Sequence, residues 1–142
     1  MVCKVIQRNV RVSSRKARLV CDLIRNKPIK QALVILQHNS KKASKIIKKL
    51  LESAIANATN NHAMNAEKLY VYNIFANQGP TWKRTMPRAR GSADMIFKRT
   101  THIEIHLSDD PNERYLYLQN LKSHSSNKTD KKIKKVITNT KE

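Results

Sequence analysis

Ala43-Ser44-Lys45-Ile46-Ile47-Lys48-Lys49-Leu50-Leu51-Glu52-Ser53-Ala54-Ile55-Ala56-Asn57-Ala58 is the most regular stretch of the chain. Its apolar residues fall at Ala43, Ile46, Ile47, Leu50, Leu51, Ala54, Ile55 and Ala58, the spacing of one face of an α-helix. Ser40, just ahead of it, is expected to cap that helix. Further on the period changes. Leu69–Asn77 and Ile96–Leu107 are rich in Tyr, Ile, Val and Thr and read as strands, with Thr101, Ile103, Ile105 and Leu107 on one face. Upstream, Val2–Val12 alternates loosely and suits a short strand. Ser13 or Ser14 can cap a helix over Arg15–Arg25 that turns Ala17, Val20, Leu23 and Ile24 inward. Pro28 suits the first turn of another helix, with Ile29, Ala32, Leu33 and Leu36 as its stripe. The pattern predicts an α+β fold: three helices packed on a small antiparallel sheet, with a long protruding β-hairpin between the last two strands.

Charge divides the chain. Residues 1–107 carry 21 Lys and Arg against five acidic residues, a net charge of +16. Residues 108–142 carry eight against five, a net of +3. The whole chain of 142 residues stands at +19. A surplus of this size repels itself unless a polyanion neutralises it, which argues for a partner rich in phosphate. The length suits one domain and a tail. We therefore expect a globular domain over residues 1–108, with the extended hairpin at about 78–97, and a polar, lysine-rich extension over 109–142. That extension has too little apolar surface to order itself, apart from a short helix around Glu113–Leu121.

Two helix starts carry the wrong charge for stability alone. A helix N-terminus is electropositive and favours Asp or Glu in its first turn. Here Ser14 is followed by Arg15 and Lys16, and Ser40 by Lys41 and Lys42. Each such cation costs roughly 0.3–1 kcal/mol at low salt. A bound phosphate reverses the sign, because amides and side chains then favour the same anion. Lys41, Lys42, Lys45, Lys48 and Lys49 cover one side of the third helix, and Glu52 is the only acid between Asp22 and Glu67. A face built for solubility alone would intersperse acids.

The segment from Gly79 to Met95 is long for a strand connection, and such loops are functional or disordered. It holds both glycines, two of the four prolines and the only tryptophan. Lys83, Arg84, Arg88 and Arg90 face a single acid, Asp94. If its arms extend the strands as a ribbon, about eight residues each way would reach ~25 Å. Such a ribbon is unstable alone in water, and its charge says that nucleic acid surrounds it. Arg can fork to phosphate or stack on bases, and Trp82 and Met86 can pack on bases or on a neighbouring protein. Lys98-Arg99-Thr100-Thr101, at the hairpin's return, adds two cations beside hydroxyls that can bond phosphate oxygens.

Nothing in the sequence supports catalysis, and no cofactor or metal site is expected. His102 and His106 would lie ~13 Å apart along a strand, too far to share a metal, and read as exposed strand histidines. His38 and His62 sit near helix ends, where they can bond terminal carbonyls. Two glycines cannot supply a phosphate-cradling loop. Cys3 and Cys21 form no metal pattern and read as two reduced thiols. The longest apolar run, Ala32-Leu33-Val34-Ile35-Leu36, is far short of the ~20 residues that span a bilayer, so no membrane insertion is expected.

These motifs resemble a known family. Ser13-Ser14-Arg15-Lys16-Ala17-Arg18-Leu19-Val20, Asp22-Leu23-Ile24-Arg25, Leu51-Glu52-Ser53-Ala54-Ile55-Ala56-Asn57-Ala58, Gly79-Pro80 with Lys83-Arg84, Met86-Pro87-Arg88-Ala89 with Gly91, and Lys98-Arg99-Thr100 with His102-Ile103 follow in the order and spacing of the universal large ribosomal subunit protein number 22. The likeness runs from about residue 5 to 108. It implies a structural constituent of the large subunit, a monomer within the ribosome, that binds and orders rRNA during assembly among neighbouring ribosomal proteins. It implies that Arg15, Lys16 and Arg18 touch rRNA from the first helix; Lys41, Lys42, Lys45, Lys98 and Arg99, from the charge pattern itself, are expected to extend that surface. It further implies a hairpin lining the exit tunnel, held to rRNA by Lys83, Arg84, Arg88 and Arg90. Trp82, Met86, Pro87, Ala89 and Gly91 would form its tip beside the nascent peptide. Two positions depart from the family's usual pattern: Ser92 stands where a basic residue is common, and Trp82 where a smaller one is. The ribosome would be a cytoplasmic bacterial one, or an organellar one if the chain is organelle-encoded.

Two other classes fit the charge. A DNA-architectural protein with a β-arm would act as a dimer on duplex, whereas a single irregular hairpin suits folded RNA. A cationic membrane-surface protein would need bulky aromatic anchors on its basic helix, and this helix has none.

Overall fold

The computed structural model describes residues 2–110. The short helix expected around 113–121 and the polar extension lie outside the described residues. In chain order the elements are β1 (Val2–Val10), α1 (Ser14–Ile24), α2 (Ile29–His38), α3 (Lys42–His62), β2 (Tyr70–Gln78), β3 (Trp82–Pro87), β4 (Ala93–Lys98) and β5 (Thr101–Ser108), with a short 3₁₀ turn at Ala89–Gly91. β1, β5 and β2 form an antiparallel sheet in that order, and β3 and β4 form a separate two-stranded sheet. The fold is α+β.

β5 is central because both neighbours pair with it. Its inward residues Thr101, Ile103, Ile105 and Leu107 are all buried, as their alternation requires. Cys3 and Val5 of β1 stand opposite Leu107 and Ile105, and Val71, Ile74 and Ala76 of β2 oppose Leu107, Ile105 and Ile103. Each edge strand slips register once, between Gln7 and Val10 and between Val71 and Asn73. Asn9 takes up the first slip with a left-handed φ of 56°. The helices cover the inward face with Val20, Ile24, Ala32, Leu36, Ile47 and Leu51.

α3 buries its stripe as its spacing dictates, with Ile46 and Ile55 half-buried at the margins. α1 differs in one place. Cys21 is buried, and Leu23 turns outward at 46% exposure. Helix starts differ as well. Ser13 is the N-cap of α1 but its side chain makes no capping bond. Pro28 stands at the N-cap of α2, just outside the first turn. Ser40 does not cap α3: Lys41 holds that position, and its own N–H donates to Asn39 Oδ1 at 3.1 Å. An Asx turn from Asn39 thus displaces the serine.

The expected strand over 96–107 is two strands. The ladder of β2 with β5 ends at Gln78 and Thr101, and Gly79 N–H donates to the Thr100 carbonyl at 3.0 Å. Pro80 then has no N–H to continue the ladder. Its carbonyl instead accepts from the Thr100 hydroxyl at 2.6 Å. A Cβ on Gly79 would lie 2.6 Å from that hydroxyl oxygen, so the close approach requires glycine.

The outer edge of β2 is sealed. Asn26 N–H donates to the Val71 carbonyl, and Val71 N–H to the Lys27 carbonyl, at 2.9 and 3.0 Å. Arg18 Nε donates to the Ala76 carbonyl and Arg25 Nη2 to that of Ile74, at 3.2 and 3.1 Å. α1 is thereby tied to the sheet by polar as well as apolar contacts.

Candidate nucleic-acid interface

Residues 11–14 carry the chain from the sheet to α1, and 39–41 carry it from α2 to α3. These two junctions lie side by side. A groove of about 580 Å³ runs between them, with Arg11 and Lys16 on one wall and Lys41 and Lys42 on the other. A second groove of about 650 Å³ adjoins it, sharing Lys16 and adding Arg15 and Arg99. Basic residues from three separate segments of sequence therefore meet around the start of α1. The first turns of α1 and α3 contain no acid. Lys45 is exposed, one turn into α3. Arg18 is exposed too, but its Nε is committed to the Ala76 carbonyl.

Several carboxylates among the described residues already have basic partners. Asp22 pairs with Arg25 at 2.8 Å, Asp94 with Arg88 at 2.8 Å, Glu104 with Lys4 at 2.6 Å, and Glu52 with Lys48 at 3.9 Å. No described carboxylate pairs with Arg11, Arg15, Lys16, Lys41, Lys42 or Arg99. Lys4, by direct hydrogen bonding, and then His106 hold the Glu104 carboxyl below its usual range. Burial pushes the Cys21 thiol up to about 12 and raises that of Cys3. Both cysteines are free, buried and protonated at neutral pH.

β3 and β4 pair in six steps, from Trp82 opposite Lys98 to Pro87 opposite Ala93. Directly opposed residues share a face. One face carries Trp82, Lys98, Arg84, Ile96, Met86 and Asp94; the other carries Lys83, Phe97, Thr85, Met95, Pro87 and Ala93. Every residue of both strands is exposed except Ile96, which is half-buried. The turn is Arg88 to Ser92. Arg88 N–H donates to the Ser92 carbonyl and the Ser92 hydroxyl to that of Ala89, at 2.8 and 2.9 Å. Arg90 and Gly91 both take positive φ there, 59° and 71°. Of the expected tip residues, Ala89 and Gly91 lie in this turn and Pro87 ends β3, while Trp82 sits in the pair farthest from it.

The base of the ribbon, its first two pairs, meets the cations that line the grooves. The Arg11 guanidinium lies 4.7 Å from the centre of the Trp82 ring, and Arg99 lies 5.5 Å from that of Phe97. Arg11 was not legible as a site residue. Its only sequence signal is a cation just ahead of the cap of α1, and its partner stands 71 positions away.

The strand histidines are less exposed than expected. His102 is half-buried and its Nδ1 accepts from Asn9 N–H at 3.1 Å. His106, also half-buried, bonds Glu104 Oε1 at 2.7 Å and meets Phe75 edge-on at 5.8 Å. His38 Nδ1 donates to the Val34 carbonyl at 2.9 Å. Among the described residues no three His, Cys, Asp or Glu gather as a metal site would need, and no helix is long and apolar enough to cross a membrane.

A family model described as ribosomal protein L22p/L17e matches residues 5–108. The chain is similar to the large ribosomal subunit protein uL22 of Malacoplasma penetrans, 63% identical over 86% of this chain and 90% of that one. It is similar to the protein of the same name from Mycoplasmoides gallisepticum, 62% identical over 80% of this chain and 79% of that one. The uL22 of Ureaplasma parvum is 57% identical over 90% of this chain, which spans only 42% of that longer relative. Together with the basic grooves and the paired ribbon, these matches place the chain in the ribosomal protein L22p/L17e family.

Proposed function

We propose that the chain is a structural constituent of the large ribosomal subunit that binds and orders rRNA. It is a non-enzymatic protein that works by contact. The observation that carries this reading is the convergence of Arg15, Lys16, Lys41, Lys42 and Arg99 on two adjoining grooves without a described carboxylate among them. Lysines and arginines so placed neutralise phosphates that folding brings close together, which is how a basic protein orders a polyanion. Lys45 and the exposed part of Arg18 extend the surface along α3 and α1.

The ribbon belongs to the same reading. A two-stranded sheet with nearly every side chain exposed does not stabilise itself in water. Lys83, Arg84, Arg90 and Lys98 would bind it to rRNA, with Arg88 shared between RNA and Asp94. Met86, Pro87, Ala89 and Gly91, at or next to the turn, would then border the path of the nascent peptide in the exit tunnel, while Trp82 stays at the base of the ribbon under Arg11. The chain acts as a monomer among neighbouring ribosomal proteins, in a cytoplasmic ribosome of bacterial type. Residues 1–108 form the working domain and 109–142 a polar, lysine-rich extension.

Sedimentation of a tagged copy through a sucrose gradient in high salt tests this. Retention with the large subunit is expected. Migration at the top of the gradient, or with DNA after RNase treatment, would overturn the reading in favour of a DNA-binding one.

A further inference from the structure

We propose that the groove between the starts of α1 and α3 takes one unstacked nucleobase of the rRNA, gripped through the phosphates on either side of it. The inference rests on the rRNA-binding reading and names what this part of the surface holds. The groove is lined by aliphatic side chains, Val12, Leu19 and Ala43, together with the cations Arg11, Lys16, Lys41 and Lys42. A volume of about 580 Å³ is that of a site for a small organic group.

Leu19 is the telling residue. α1 meets the core through Ala17, Val20, Cys21 and Ile24, whereas Leu19 is 60% exposed. A lone exposed leucine needs no explanation, but this one lines a groove that also holds four positive charges. A phosphate backbone alone has no use for an aliphatic lining, and an apolar peptide has no use for four cations. An extruded nucleotide has both an apolar face and flanking charge, and folded RNA splays such bases from its loops and bulges. The adjoining groove shares Lys16 and Leu19 but adds Arg15, Gln78 and Arg99, a polar lining that fits the continuing ribose-phosphate chain.

Base and phosphate contacts separate by their response to salt. The full chain, Leu19→Gln and Lys42→Gln are each titrated with transcribed large-subunit rRNA over a range of salt. Leu19→Gln keeps helix propensity and charge. It is expected to weaken binding roughly tenfold, the cost of one lost apolar face, with the slope of log K against log salt unchanged. Lys42→Gln is expected to weaken binding and to lower that slope by about one. Unaltered binding by Leu19→Gln overturns the groove assignment and leaves rRNA binding standing. No binding by the unaltered chain overturns both. A second measurement identifies the occupant. Leu19→Cys, labelled with a benzophenone while the native thiols stay buried, is irradiated in the assembled large subunit. A nucleotide adduct is the expected product; an adduct to a ribosomal protein overturns the proposal.

Discussion

At Gly79 a hydrogen in place of a side chain lets the chain close against Thr100. The Thr100 hydroxyl oxygen stands 2.6 Å from where a Cβ would be, and that hydroxyl holds the Pro80 carbonyl. Gly79→Ala must displace it and strand the carbonyl. We expect a loss of about 1–3 kcal/mol in urea unfolding, with the native helix content retained below the transition. Glu104 gives a second prediction at this scale. Its carboxyl is held below its usual range by Lys4 and His106, so it favours the folded state at pH values above the unfolded carboxyl's pKa of about 4.3. That contribution fades as pH falls through the lower, folded value. Glu104→Gln should therefore cost stability at pH 7 and flatten the decline below about pH 4, as read from urea midpoints across pH. Neither position was legible beforehand. The importance of Gly79 depends on Thr100, and that of Glu104 on Lys4, a neighbour across β1 and β5.

Elements were legible where one residue type repeats. The stripe of α3 and the alternation of β5 are periodic, so their buried faces could be named before any contact was known. Ends were legible less well, because a cap is decided by one local hydrogen bond. Asn39 outcompetes Ser40 and leaves Lys41 at the N-cap of α3. The break at Arg99-Thr100 was invisible for the opposite reason, since it depends on Pro80, 20 positions from Thr100. Lys41 also marks where stability yields to binding. Lys41→Asp supplies a capping carboxylate and removes a cation from an electropositive helix start. We expect the free protein to gain about 1–2 kcal/mol in thermal or urea unfolding. Its affinity for large-subunit rRNA should fall in a filter-binding assay. A loss of both properties would mean that Lys41 serves the fold.

For the whole molecule, net charge was the most informative number in the sequence. It named a polyanionic partner without placing a single contact. The placement came from folding, which brings residues 11–16, 41–42 and 99 together although they are far apart along the chain. Sequence patterns record neighbours three, four or two residues away, and these are neither. With about 6–10 phosphates neutralised, affinity for rRNA should drop by ~10³–10⁵ between 50 and 200 mM salt. A binding isotherm that hardly moves over this range would show that shape and apolar contact outweigh charge.

Trp82 is the only tryptophan in the chain, and it lies beneath the Arg11 guanidinium at the base of the ribbon. The joint thus carries its own lamp, shaded by a cation that rRNA would draw away. When phosphate competes for Arg11, the indole loses its cover and its emission should shift in colour and intensity. Docking could then be timed by stopped-flow fluorescence in the unlabelled protein, with Arg11→Gln as the unshaded control.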